Sequence, residues 1–145
     1  MYEIKKAERE MLGGITKIEN EAFTCPWSEK TFDEALESET ISFFAALSGE
    51  TVCGFYCLMT IEDEAELLNI AVSSSCRRTG CGSALMAHMA EKAAEKNVKR
   101  IYLEVRNSNL PAQSLYKKFG FFEVGVRRNY YAKPREDAVI MQKNL

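Results

Sequence analysis

Leu67-Leu68-Asn69-Ile70-Ala71-Val72 is followed by Ser73-Ser74-Ser75-Cys76, then by Arg77-Arg78-Thr79-Gly80-Cys81-Gly82, and then by Ser83-Ala84-Leu85. The first six residues form an apolar, strand-like run. The last three open a helix with Leu85, Met86, Met89, Ala90 and Ala93 on one face and Glu91, Lys92, Glu95 and Lys96 toward water. Between them lies a loop with two glycines, where backbone amides can approach a ligand with no Cβ in the way. A helix N-terminus adds unpaired N–H groups and the positive end of a dipole. A strand, a glycine loop and a helix in that order make a site for a phosphate or pyrophosphate. Arg77 and Arg78 add positive charge there or simply face solvent.

Three other readings compete for this stretch. A bare Gly-x-Gly occurs in many plain strand–helix connections. A nucleotide P-loop ends in Gly-Lys-Ser/Thr, and Ser83 follows Gly82 with no lysine. The dinucleotide fingerprint needs a longer glycine pattern and an acidic residue about 20 positions on. Neither fits well.

Upstream, residues 2–5 read as a first strand. Met11, Ile15, Ile18 and Ala22 mark one face of a helix over 7–23, weakened by Gly13 and Gly14. Ser28 suits the N-cap of a second helix reaching Ser38. Strands follow at 41–47, 51–61 and 65–72. The middle one is apolar on both faces, as a covered central strand should be. The signature helix runs over 80–96, with Asn97 as its C-terminal residue. A strand at 99–106 precedes a short helix capped by Asn109, with Pro111 in its first turn and Gly120 beyond its end. Strands at 121–131 and 136–143 complete the order β-α-α-β-β-β-α-β-α-β-β. The expected architecture is α/β: a mixed central sheet of about seven strands flanked by about four helices, in one domain spanning 1–145.

The chain has 145 residues, 46% apolar and 28% charged, with a net charge of −2. That balance supports a packed core. It lacks the basic surface that binds nucleic acid directly. No apolar run approaches the ~20 residues of a membrane span. Met1-Tyr2-Glu3-Ile4-Lys5 does not resemble an export signal, so the expected location is the cytoplasm. The five cysteines form no Cys-x-x-Cys pair, and neither a metal site nor a disulfide framework is expected. Cys53 and Cys57 read as small buried hydrophobes. His88, without a partner in sequence, reads as structural.

The strand–Arg-x-x-Gly-x-Gly–helix unit resembles the acetyl-CoA-binding motif of the GNAT N-acetyltransferases. Further segments narrow the likeness. They are Cys25-Pro26-Trp27-Ser28-Glu29-Lys30-Thr31-Phe32, Leu103-Glu104-Val105-Arg106 with Ser108-Asn109, Ser114-Leu115-Tyr116, Gly120-Phe121, Arg127-Arg128-Asn129-Tyr130-Tyr131 and Arg135-Glu136-Asp137-Ala138-Val139-Ile140-Met141. From about Phe23 onward the chain is similar to the RimI branch, the bacterial ribosomal-protein alanine N-acetyltransferases.

The resemblance implies a GNAT fold and acetyl-CoA as cosubstrate, with no metal. The strand near Asn69 would splay from its neighbour. Backbone groups of Ile70, Ala71 and Val72 would then meet the pantetheine arm. Arg77, Arg78, Thr79, Gly80, Cys81, Gly82 and Ser83 would surround the pyrophosphate, and Asn109 would lie near the sulfur. At Cys81 the family commonly carries a larger apolar residue; mainly a backbone amide is needed there, so little loss is expected. The resemblance makes Glu104 the general base, acting through water, and Tyr116 the general acid. Trp27, Tyr130 and Tyr131 would shape a groove for the N-terminal peptide of a ribosomal protein, the alanine terminus of the eighteenth small-subunit protein. A monomer is expected, with no membrane partner.

Pattern alone leaves these roles open. Glu104 in mid-strand also suits a salt-bridged face, and Tyr116, Trp27, Tyr130 and Tyr131 also suit aromatic packing. An α-amine with a pKa near 8 is partly neutral already, so a weak base suffices. Cys76 and Cys81 permit a rival acetyl-cysteine route, although no base adjoins either in sequence. Glu62, Asp63, Glu64 and Glu66 read as a solvated turn or as an attractor of a basic peptide. Two further alternatives are a GNAT enzyme for lysine side chains or small amines, and a non-catalytic acetyl-CoA-binding module.

Overall fold

The computed structural model describes residues 1–145. Its strands are β1 (Glu3–Lys6), β2 (Ile41–Ser48), β3 (Thr51–Ile61), β4 (Glu64–Val72), β5 (Arg100–Arg106), β6 (Phe122–Ala132) and β7 (Arg135–Asn144). Its helices are α1 (Leu12–Ala22), α2 (Glu29–Glu37), α3 (Cys81–Glu95) and α4 (Leu110–Lys118). They form one mixed sheet in the order β1-β2-β3-β4-β5-β7-β6. Every neighbouring pair is antiparallel except β4 with β5, because α3 carries the chain across between them.

Each face of the sheet is covered. On one side α1 and α2 bury Ile15, Ile18 and Phe32 against Phe43, Phe55 and Cys57. On the other, α3 and α4 bury Leu85, Met86, Met89 and Tyr116 against Tyr56, Leu58 and Ile101. Alternation along β3 sends Phe55 to the first layer and Tyr56 to the second, as a doubly covered strand requires. The Ser28 and Asn109 side chains cap α2 and α4 by accepting from Thr31 N and Ala112 N. Asn97 follows α3 at φ +60°. His88 packs 4.6 Å from the Phe44 ring and shares a 2.9 Å hydrogen bond with the Tyr56 hydroxyl, a structural setting.

The first helix begins later than its apolar spacing implies. Ala7 N instead donates to Phe43 O at 2.9 Å, extending the edge of the sheet, and a 3-10 turn at Arg9–Met11 precedes α1. Sheet pairing outweighs helix propensity there. Gly54 has a role that its place in a strand does not reveal. A Cβ at this position would meet Ala71 O at 2.9 Å, Leu85 Cδ1 at 3.0 Å and Cys81 Sγ at 3.1 Å. Its absence lets the first turn of α3 lie directly on the sheet. No helix is long and apolar enough to cross a membrane.

Candidate active site

The site begins where the sheet opens. β4 pairs with β5 only at Glu64–Arg100, Ala65–Ile101 and Glu66–Tyr102. Further along, β4 stays paired with β3 through Tyr56–Ile70, Phe55–Ala71 and Gly54–Val72, but its other edge has no strand partner. The pairing register slips by one residue between Cys57 and Leu58, leaving Leu68 as an extra residue on β4. A bulge of this kind turns the strand and strengthens its twist.

The glycine loop lies at the mouth of this gap. Gly80, at φ +89°, is the N-cap residue of α3, and no side chain caps that helix. The first helical bond is Ala84 N to Gly80 O at 2.9 Å. The amides of Cys81, Gly82 and Ser83 are therefore left as free donors. A Cβ at Gly82 would sit 3.3 Å from Leu115 Cδ2 on α4, so that side chain would have to shift by a few tenths of an ångström. Arg77 and Arg78 are exposed, and the Thr79 hydroxyl is bound to Cys76 O and to the Tyr2 hydroxyl. A ring of free amides beside two arginines, next to an open strand edge, fits a pyrophosphate followed by an amide-bearing arm.

Cys81 does more than supply an amide. Its side chain is buried against Gly54, and burial first, then Cys53 and Cys76, push its thiol up to about 12. A thiol so hidden and so fully protonated does not serve as an acetyl acceptor.

Glu104 and Tyr116 belong to opposite faces of the sheet. Ile101, Leu103 and Val105 of β5 point into the α3/α4 layer, so Tyr102, Glu104 and Arg106 point the other way. Glu104 is 18% exposed and lies in a cleft of about 530 Å³ that also includes Met59, Glu66, Tyr102, Arg127 and Ile140. Arg127 Nε is 2.7 Å from Glu104 Oε2. The contact is a close ion pair but is not directed as a hydrogen bond, so that oxygen has no well-aligned donor in the protein. Burial first, then Glu104, push the Glu66 carboxyl up, while Arg127 opposes them.

Tyr116 belongs to the α3/α4 layer, 7% exposed, with its ring 6.0 Å from that of Phe121. Burial, and then Tyr131, push its phenol well above the ordinary value. Tyr131 is pushed up to about 12 by burial first and then by Glu104 and Tyr130. The Tyr131 ring meets that of Tyr130 edge-on at 5.1 Å, and Tyr130 is half exposed. Trp27 is half-buried against Phe32 at 5.2 Å in the loop between α1 and α2.

Three participants went unread in the sequence. Arg127 reaches Glu104, and Arg106 binds the β6–β7 turn. The third is Glu19, whose only sequence signal is a carboxylate bordering the apolar stripe Ile15, Ile18 and Ala22. Glu19 is 2% exposed. Both its oxygens accept from Asn69 Nδ2 at 3.0 Å, and Oε2 also accepts from Trp27 N at 3.0 Å. It therefore fixes the α1–α2 loop to β4 beside the gap.

Glu19→Ala should cost about 2 kcal/mol, because two buried donors lose their acceptor; a chemical denaturation midpoint equal to wild type would refute this. Burial raises the Glu19 carboxyl from its usual 4.5 despite the Trp27 and Asn69 bonds. Its contribution to stability is then complete below that pH and declines as pH rises through the raised value. Glu19→Gln should flatten the decline that sets in above about pH 4.5. Parallel stability–pH curves for the two proteins would overturn this assignment.

A gap in mid-sheet suits an enzyme that brings two substrates together. The chain belongs to the acetyltransferase (GNAT) family, whose model matches residues 12–121. It is 38% identical over 143 residues to the [ribosomal protein bS18]-alanine N-acetyltransferase of Escherichia coli strain K12, covering 97% of this chain and 96% of that one. The crystal structure of the ribosomal-protein-S18-alanine N-acetyltransferase from Escherichia coli superposes with a TM-score of 0.91 at 38% identity, over 99% of this chain and 94% of that one. Ard1 from Thermoplasma volcanium superposes with a TM-score of 0.94 at 27% identity, over 99% and 97%. The seven-stranded sheet with four helices is the fold these relatives share.

Proposed function

We propose that this protein transfers the acetyl group of acetyl-CoA to the N-terminal α-amine of a protein, with the alanine terminus of ribosomal protein bS18 as substrate. The observation that carries this reading is the parting of β4 from β5 after Glu66–Tyr102, with Glu104 two residues further along β5 in the adjoining cleft. The relatives' activity supports the choice of amine. Acetyl-CoA supplies an activated thioester. The free amides of Cys81, Gly82 and Ser83, with Gly80, Thr79, Arg77 and Arg78 around them, hold its pyrophosphate. Backbone groups of Ile70, Ala71 and Val72 align its arm, and Asn109 closes the sulfur end.

On the other face, Glu104 takes a proton from the α-ammonium through a water, leaving a neutral amine to attack. Tyr116 keeps its proton at neutral pH and gives it to the departing thiolate. An amide on the open edge of β4 stabilises the oxyanion. Trp27, Tyr130 and Tyr131 contact the first residues of the peptide. The enzyme works as a single domain and a monomer in the cytoplasm, where new ribosomal proteins are found.

The deciding assay follows coenzyme A release with acetyl-CoA and four amines: a bS18 N-terminal peptide, its N-terminally blocked form, a lysine peptide and a polyamine. Turnover confined to the free α-amine is the expected result. Faster turnover of lysine or polyamine would give the reading to a different acceptor. Tight acetyl-CoA binding with no turnover would make the protein a binding module.

The acidic turn bears on the peptide as well. Glu62, Asp63 and Glu66 line the same cleft as Glu104, while Glu64 is paired with Arg100 at 3.0 Å. For a peptide carrying several basic residues, kcat/KM should fall about 10-fold between ~0.05 and ~0.5 M salt. A flat salt profile would remove the turn from substrate capture.

A further inference from the structure

Arg106 lies two residues beyond Glu104 on the same face of β5 and is three-quarters buried. Its guanidinium is used on several sides. Nη1 donates to Pro134 O at 3.0 Å and to Glu136 Oε1 at 3.2 Å. Nη2 donates to Lys133 O at 3.1 Å and makes a long 3.5 Å contact with Thr24 Oγ1. Its Cζ lies 4.3 Å from the centre of the Tyr131 ring. The Thr24 hydroxyl itself donates to Lys133 O at 2.6 Å, joining the α1–α2 loop to the β6–β7 turn across 109 positions of sequence. Glu136 is held on its other oxygen by Ser108 N at 2.5 Å.

A planar fork filled in this way fixes distances that a lone surface charge would not. Thr24 belongs to the loop that carries Trp27, and Lys133 and Pro134 lie two and three residues beyond Tyr131. Both walls of the groove assigned to the peptide therefore meet at one guanidinium.

We infer that Arg106 is a positioning residue for the transfer reaction: it latches the α1–α2 loop to the β6–β7 turn and holds the Tyr131 ring, setting the shape of the peptide groove beside Glu104. This inference rests on the proposed N-terminal acetyltransferase activity. It assigns Arg106 no contact with the reacting atoms. The guanidinium makes no hydrogen bond to the cofactor loop Arg77–Ser83, so the latch acts on the peptide side.

The test measures KM for an alanine peptide and for acetyl-CoA separately. Arg106→Met should raise peptide KM about 10-fold, the scale of one lost hydrogen bond to a charged group, and leave acetyl-CoA KM within about 2-fold. Arg106→Lys should fall between, because an ammonium keeps the charge but not the fork. Thr24→Val cuts only the loop side and should raise peptide KM a few-fold with no change for acetyl-CoA. Equal rises in both KM values with Arg106→Met, or an unchanged peptide KM, would overturn the latch. If Arg106→Met does not fold, an unchanged peptide KM in Thr24→Val overturns it instead. A wild-type protein that never acetylates the peptide removes the activity and the latch with it; active wild type with equally active variants removes the latch alone.

Discussion

Tyr116→Phe should lower kcat by about 10²-fold, the lower end of what a positioned general acid contributes, with acetyl-CoA affinity nearly unchanged. The variant tests chemistry with little structural interference. The Tyr116 ring is buried beside Phe121, and its hydroxyl makes no hydrogen bond within the protein. Phenylalanine therefore keeps the packing and orphans no partner, so stability should stay within about 0.5 kcal/mol of wild type. The phenol is held well above its ordinary pKa by burial, so its proton is present throughout the working pH range. Loss of that proton donor should appear in kcat under saturating peptide and acetyl-CoA. An unchanged kcat would end the assignment and leave Tyr116 as a core aromatic.

Glu104→Gln should lower kcat/KM by about 10²-fold at pH 7, and the deficit should shrink as pH rises past the α-amine pKa near 8. The sign follows from the proton to be removed. Below that pH most of the amine is ammonium and needs a base; above it the amine arrives neutral. A deficit constant from about pH 6.5 to 9.5 would mean that Glu104 positions the substrate instead of taking a proton. Loss of the Arg127 pair complicates the comparison only slightly. The Arg127 side chain is 59% exposed, and a screened pair of that kind contributes under about 1 kcal/mol.

Much of the fold was legible because its signals are local. Period-two and helical spacings placed seven strands and four helices in the right order. Ser28, Asn97 and Asn109 stand at the helix ends to which their backbone and side-chain preferences assign them. The start of α1 departs from its apolar spacing because Ala7 finds a hydrogen-bond partner in Phe43, far along the chain. The glycine loop was readable as an anion site, since a helix N-terminus supplies its donors whatever surrounds it. Glu104 and Tyr116 could be singled out only through resemblance, because a carboxylate in a strand and a tyrosine in a helix have common structural uses.

The sequence by itself determined the elements, their order and the helix-end loop. Each depends on contacts between residues a few positions apart. Tertiary structure decided which side chains meet. Glu19 finds Asn69 across 50 positions, and Thr24 finds Lys133 across 109. Gly54 turns out to be the floor on which α3 rests. Such pairings depend on sheet order and on where β4 and β5 part, and neither leaves a periodic trace in one chain. The physical reason is one of range: propensity and capping energies act within a turn or two, whereas a buried carboxylate or a filled guanidinium is stable only after distant segments have been brought together.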